Sequence, residues 1–215
     1  MSLSETSVEH LAIAIADSNS WERMAYFLPL MRLLSRGDPV TTEQLATVLG
    51  RPEARVAEAL HQFEDVVYDE EGRIVGAGLS LLPTPYRFEM QGHVLFTWCA
   101  LDTLFFPVWL GRSAQVSSAC PASGTPIHLR VSPERLEYLD PPSGVMSLLI
   151  QGGLATCCNI REAFCKYSQF FASREAAAHW LSQMPSAHLL PIEEAFTLGQ
   201  KLARLTMQRL QDGER

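Results

Sequence analysis

The sequence predicts an α+β protein, with a helical, winged-helix-like N-terminal region followed by a mixed α/β region of short, mostly antiparallel strands. Three observations carry this. The first third places apolar residues at helical spacing and closes on a helix–turn–helix and a hairpin. From about Leu79 the chain turns to short β-prone runs cut by Pro, Gly and Ser clusters. Near the end, two longer stretches regain helical periodicity behind clear start signals.

Taken in order, residues 8–16 form a short apolar run. Residues 21–35 follow, with Trp21, Met24, Leu28 and Met31 on one face and Pro29 bending or delaying part of the helix. Thr42 is placed to cap the next helix, with Leu45, Val48 and Leu49 turned inward and Gly50 closing it. Pro52 opens a further helix at its first turn, which buries Val56, Leu60 and Phe63. Residues 66–68, the turn Asp69-Glu70-Glu71-Gly72 and Ile74-Val75 make a hairpin, completing a winged-helix outline. Strand-like runs then appear at residues 86–90, 115–118, 127–131 and 145–150, separated by breakers at 121–126 and 140–144. Ser132-Pro133-Glu134-Arg135 reads as the start of a one-turn helix, and residues 173–184 and 191–211 as two helices. The expected organisation is a helical domain over residues 1–80 and an α+β domain over 81–215, with the boundary inside residues 78–85.

Composition narrows the function classes. Of 215 residues, 47% are hydrophobic and 19% charged, as in an ordinary globular protein. The net charge of −7 disfavours nucleic acid and anionic membranes as partners. A helix–turn–helix alone points to DNA, yet Arg51 and Arg55 are offset by Glu53 and Glu58, so a structural module is the preferred reading. Residues 94–110 are apolar, but Cys99, Asp102 and Thr103 interrupt them and Pro107 sits near their end, which reads as buried core rather than a membrane span. The N-terminus lacks the basic flank of a signal peptide, so a cytoplasmic location is expected. The five cysteines, an odd number, are expected as free thiols.

The most informative segment runs from Phe96 to Asp102. A strand ending near Thr97 and a helix starting near Cys99 would put that thiol at a helix N-terminus, where free N–H groups favour a thiolate. Asp102, three residues on, shares its face and could exchange a proton with it. The carboxylate also raises the thiol's pKa, and a buried cysteine beside a capping aspartate is the plainer reading. A second cluster joins Cys157, Cys158 and Cys165, with Arg161 and Lys166 placed to favour a thiolate. The spacing lacks C-x-x-C, so structural zinc is disfavoured and convergent thiolates for a soft ion remain. No phosphate loop, nucleophile elbow or H-E-x-x-H is found. His93, His128 and His179 exist, but no local signature joins them to a cysteine.

Trp98-Cys99-Ala100-Leu101-Asp102-Thr103-Leu104-Phe105-Phe106-Pro107 resembles the signature of the bacterial organomercurial (alkylmercury) lyases. The similarity continues at Gly111-Arg112-Ser113-Ala114-Gln115-Val116-Ser117-Ser118, Val131-Ser132-Pro133 and Phe170-Phe171-Ala172-Ser173, and again at Glu193-Glu194-Ala195-Phe196-Thr197-Leu198-Gly199-Gln200. The resemblance implies that Cys99 and Cys165 are catalytic cysteines that hold mercury together with the catalytic Asp102. It further implies that Cys120 is structural, and that Phe96, Trp98 and Phe164 line an apolar pocket for the organic group. It implies protonolysis of the carbon–mercury bond without a cofactor, an external thiol for product release, and mercuric reductase as acceptor of Hg(II). One position departs from the pattern: Lys166 stands where better-known members carry a cysteine, and Cys157 and Cys158 lie upstream. The competing reading is a winged-helix regulator that senses a metal or oxidant through its thiols, which leaves the pairing of Asp102 with Cys99 unexplained.

Overall fold

The computed structural model describes residues 5–18, 21–149 and 160–213. Helices α1 (Glu5–Ser18) and α2 (Trp21–Leu34) lead into α3 (Thr42–Leu49) and α4 (Glu53–Leu60). The cap of α3 is Thr41, one residue earlier than expected. Its hydroxyl accepts from the Gln44 N–H at 3.1 Å while its own N–H donates to the Gln44 side chain at 2.8 Å, a reciprocal cap that only this register allows. Leu45 and Ala46 face inward, but Val48 is 56% exposed. At 100° per residue Val48 falls about a quarter-turn off that buried stripe. Pro52 takes the N-cap of α4 rather than its first turn, and Phe63 is only partly buried.

The hairpin β1 (Val67–Tyr68) and β2 (Ile74–Ala77) does not end the sheet. β2 pairs with β3 (Leu79–Ser80), and β3 pairs with β5 (His93–Thr97). With β4 (Tyr86–Met90), β6 (Ala114–Ala119), β7 (Pro126–Val131) and β8 (Leu136–Asp140), these form one antiparallel sheet in the order β1-β2-β3-β5-β4-β6-β7-β8. Ser132-Pro133-Glu134-Arg135, expected as a helix start, is instead the turn between β7 and β8, where the Ser132 hydroxyl accepts from the Arg135 N–H at 3.0 Å. β8 escaped the sequence reading because it is an edge strand with no fully buried residue. A second sheet orders β10 (Phe170–Phe171), β9 (Val145–Leu148) and β11 (His188–Pro191).

Between the sheets and the N-terminal helices lies α5 (Ala100–Leu110), apolar nearly all round and correspondingly buried. α8 (Ile192–Gly213) packs against both α5 and α1. The close approach of α8 to α5 depends on Gly199, where a Cβ would meet Phe105 Cβ at 3.2 Å and the Leu104 carbonyl carbon at 3.3 Å. The Trp109 indole N–H donates to the Ala203 carbonyl at 3.3 Å, satisfying the polar end of a buried ring. Short helices α6 (Ile160–Ala163) and α7 (Ala178–Gln183) complete the chain, α7 covering only part of the expected 173–184 helix. Among the described residues no helix is long and apolar enough to cross a membrane.

Candidate active site

The junction of β5 and α5 builds the first half of the site. Cys99 is the N-cap of α5, with extended backbone (φ −147°, ψ 171°), and Asp102 occupies the third helical position. The two cap each other. The Asp102 N–H points at the Cys99 sulfur, and the Cys99 N–H donates to Asp102 Oδ2 at 3.1 Å. A cysteine here takes the place that Ser or Thr fills in an ordinary capping box, so the local fold itself aims sulfur and carboxylate at the same point.

Cys165 arrives from far along the chain, on a single 3₁₀ turn (Cys165–Tyr167). Its sulfur, the Cys99 sulfur and an Asp102 oxygen all lie within 4.8 Å of one another, and all three side chains are buried. Burial pushes the Asp102 carboxyl up to about 7, although hydrogen bonds from the Cys99 thiol and from the Cys99 and Trp98 N–H groups pull it back. Burial also raises the Cys99 thiol, opposed by a hydrogen bond from the Cys165 thiol. Cys165 stands well above the ordinary thiol range, first because its proton is engaged by Cys99 and then because it is buried, with Arg161 acting the other way. The three groups thus lie close enough together to share protons, with the carboxyl poised near neutrality.

The cluster opens on an apolar cavity of about 60 Å³. Trp98, Leu101, Phe105, Phe106 and Trp109 line one side, Phe164 another, and Ile15, Met24, Phe27 and Met31 of the N-terminal helices close it. Phe105, Phe106 and Trp109 form an aromatic cluster, with centroids 4.6 Å apart for Phe105–Trp109 and 4.7 Å for Phe105–Phe106. Gly78 also lines the cavity at φ +80°, and a Cβ there would meet the Phe106 ring at 3.1 Å. Arg23 reaches the same wall, ion-paired with buried Asp65 and stacked over Phe27 and Phe63 at 4.8 and 5.0 Å.

The structure thus brings together Cys99, Asp102 and Cys165, and sets Trp98 and Phe164 at the pocket. It does not bring Phe96 there. Strand alternation buries Leu95 and Thr97 and turns Phe96 to the other side. Cys120 lies elsewhere, in the turn after β6, where its N–H donates to the Thr125 carbonyl at 2.9 Å. Burial raises that thiol, but hydrogen bonds from the Ser123 hydroxyl and from the N–H groups of Ala172, Ala122 and Ser123 outweigh it and leave it below the ordinary value. Lys166 points to solvent and pairs with Glu162 at 3.2 Å, so the position that departs from the family pattern does not face the cavity. Arg161 stacks over Trp98 at 5.3 Å. Cys157 and Cys158 lie outside the described residues. His93, His128 and His179 are exposed, and His128 and His179 bond to Ser117 and Gln183 rather than to a cysteine. The pocket wall from Ile15, Met24, Phe27 and Met31 was missed as a site, because its residues read simply as helix core.

Comparison with known proteins agrees with this geometry. Residues 79–204 match the family model of alkylmercury lyase, and residues 7–78 match that of the helix-turn-helix domain of alkylmercury lyase. The chain is 44% identical to an alkylmercury lyase of Streptomyces lividans over 187 residues, covering 87% of this chain and 84% of that one. It is 42% identical to the Pseudomonas putida enzyme over 206 residues, covering 95% and 94%. A crystal structure of the mercury-bound form of MerB2 superposes with a TM-score of 0.74 at 26% identity, over 94% of this chain and all of that one. By sequence along most of its length and by fold, the chain belongs to the alkylmercury lyase family.

Proposed function

We propose that this protein is an alkylmercury lyase that cleaves the carbon–mercury bond of organomercurials by protonolysis at Cys99, Asp102 and Cys165. The observation that carries this is the convergence of two thiols and one carboxyl within 4.8 Å, beside an apolar cavity that Asp102 and Cys165 line. An organomercury cation is soft and prefers thiolates to any other side chain on offer. Binding it drives off thiol protons that burial otherwise holds in place. The Cys99 proton has a direct route to Asp102, which accepts it as a carboxylate. Coordination by the second sulfur adds electron density to mercury and weakens the bond to carbon. Asp102 then returns its proton to the departing carbon as general acid, the organic group lying against the aromatic wall.

The step balances without an electron carrier. R–Hg⁺ and two thiols give R–H, Hg(II) held by two thiolates, and one proton released to solvent. A cofactor is therefore not required, and a low-molecular-weight thiol would free the site by exchanging for the two cysteines. Hg(II) leaving as a thiol adduct suits a mercuric reductase as the next acceptor, in the reducing cytoplasm where such thiols abound. Headspace gas chromatography of the reduced protein with phenylmercury and excess thiol tests the reading. Benzene over many turnovers, lost in Asp102→Asn, is expected. Tight mercury retention without hydrocarbon would refute it.

A further inference from the structure

The proposed reaction needs two sulfurs at one mercury atom, yet they come from segments far apart in sequence. We infer that Ser168 is the positioning residue that fixes the Cys165 turn against the Cys99 end of α5. The inference rests on the lyase reading for its catalytic consequence, but its geometric basis is independent of it.

Ser168 is fully buried and closes the 3₁₀ turn, its N–H donating to the Cys165 carbonyl at 3.0 Å. The same residue holds the start of α5. Its carbonyl accepts from the Ala100 N–H at 3.1 Å and from the Tyr86 hydroxyl at 3.2 Å. Its hydroxyl oxygen accepts from the Leu101 N–H at 3.1 Å. The first N–H groups of a helix have no partner inside it and must find one elsewhere. Here two of them, on the residues directly after Cys99, are satisfied by the residue three places after Cys165. The N–H, carbonyl and side chain of one residue thus span both thiol-bearing segments, so the sulfur–sulfur distance is set by hydrogen bonds rather than by loose packing.

Ser147 on β9 supplies a matched comparison. It is equally buried and grips the other side of the same turn, donating to the Tyr167 carbonyl at 2.8 Å and accepting from the Gln169 N–H at 3.1 Å. Its bonds go to the turn's backbone and not to α5.

The test compares wild type, Ser168→Ala, Ser168→Thr, Ser147→Ala and Tyr86→Phe. Three readouts are taken: benzene release from phenylmercury (kcat and KM), the near-UV sulfur–mercury absorption of protein loaded with Hg(II) alone, and the urea midpoint. Ser168→Ala is expected to lower kcat about 10- to 100-fold with KM little changed, and to shift or weaken the absorption band. Ser168→Thr, which keeps the hydroxyl, recovers the band. Ser147→Ala, at a similar loss of urea midpoint, retains the band and most of kcat. Tyr86→Phe removes one bond from the Ser168 carbonyl and moves both readings the same way by a smaller factor. Wild-type kcat and band in Ser168→Ala overturn the assignment, as they do in Tyr86→Phe if Ser168→Ala does not fold. Equal losses in Ser147→Ala also overturn it. Absence of benzene from the wild type would instead sink the lyase reading, while the Hg(II) band still decides the role of Ser168.

Discussion

At the reactive end of the cavity, two of the three working side chains come from one helical turn, and their geometry is set by hydrogen bonds. At the other end, the wall is gathered from α1, α2, α5 and α8, and its geometry is set by packing. The difference lies in tolerance. A hydrogen-bonded end loses its function when one atom is changed, because each bond joins particular atoms at a particular distance. A packed wall loses stability and shape by degrees, because each ring has many neighbours.

That contrast can be broken in four ways, from the largest effect down. Cys99→Ser and Cys165→Ser should each abolish turnover, since a hydroxyl is a poor ligand for a soft cation. Hydrocarbon release at the wild-type rate in either would end the two-thiolate scheme. Asp102→Asn should slow cleavage about 10²- to 10⁴-fold, the range for losing a general acid, while Hg(II) still binds at one equivalent. Isothermal titration beside gas chromatography separates the two, and fast cleavage in this variant would assign the acid to another group. Phe106→Ala, in the wall, should cost about 3–5 kcal/mol of stability. It should also alter the ratio of phenylmercury to methylmercury turnover more than it alters methylmercury turnover alone. An unchanged ratio would detach the wall from substrate choice.

The fourth prediction concerns pH. Asp102 holds its proton up to about 7 in the folded chain, against an ordinary value of 3.8. Between those limits the folded state binds more protons than the unfolded one. Its contribution is therefore fully present below the unfolded value and is lost as pH rises through the folded one. The unfolding free energy of the wild type, from urea titration, should fall relative to Asp102→Asn between pH 4 and pH 7, by an amount of order a few kcal/mol at most. Parallel pH profiles for the two proteins would show that the carboxyl is not held up by burial.

The two ends were not equally legible in the sequence. Cys99 and Asp102 could be paired from spacing alone, because a strand-to-helix junction and an i,i+3 step are local. Cys165 could be joined to them only through the family resemblance, since its approach depends on β9 and on the buried serines around the turn. The wall was visible as helix periodicity at Met24 and Met31, but periodicity says only that a face is buried, not that the burial leaves a chamber. The family resemblance implies a pocket position for Phe96, and strand alternation turns it away. The winged-helix outline was readable from caps and turns. The strands β8, β10 and β11 were not, being too short or too exposed to show a pattern.

The sheet passes Gly78 without a break, with β2 joined through β3 to β5, and α1 rests on α8. The N-terminal helices are therefore no detachable reader borrowed by an enzyme. A chimera that exchanged this segment between two relatives would transplant part of the reaction chamber and, with it, a preference among organic groups.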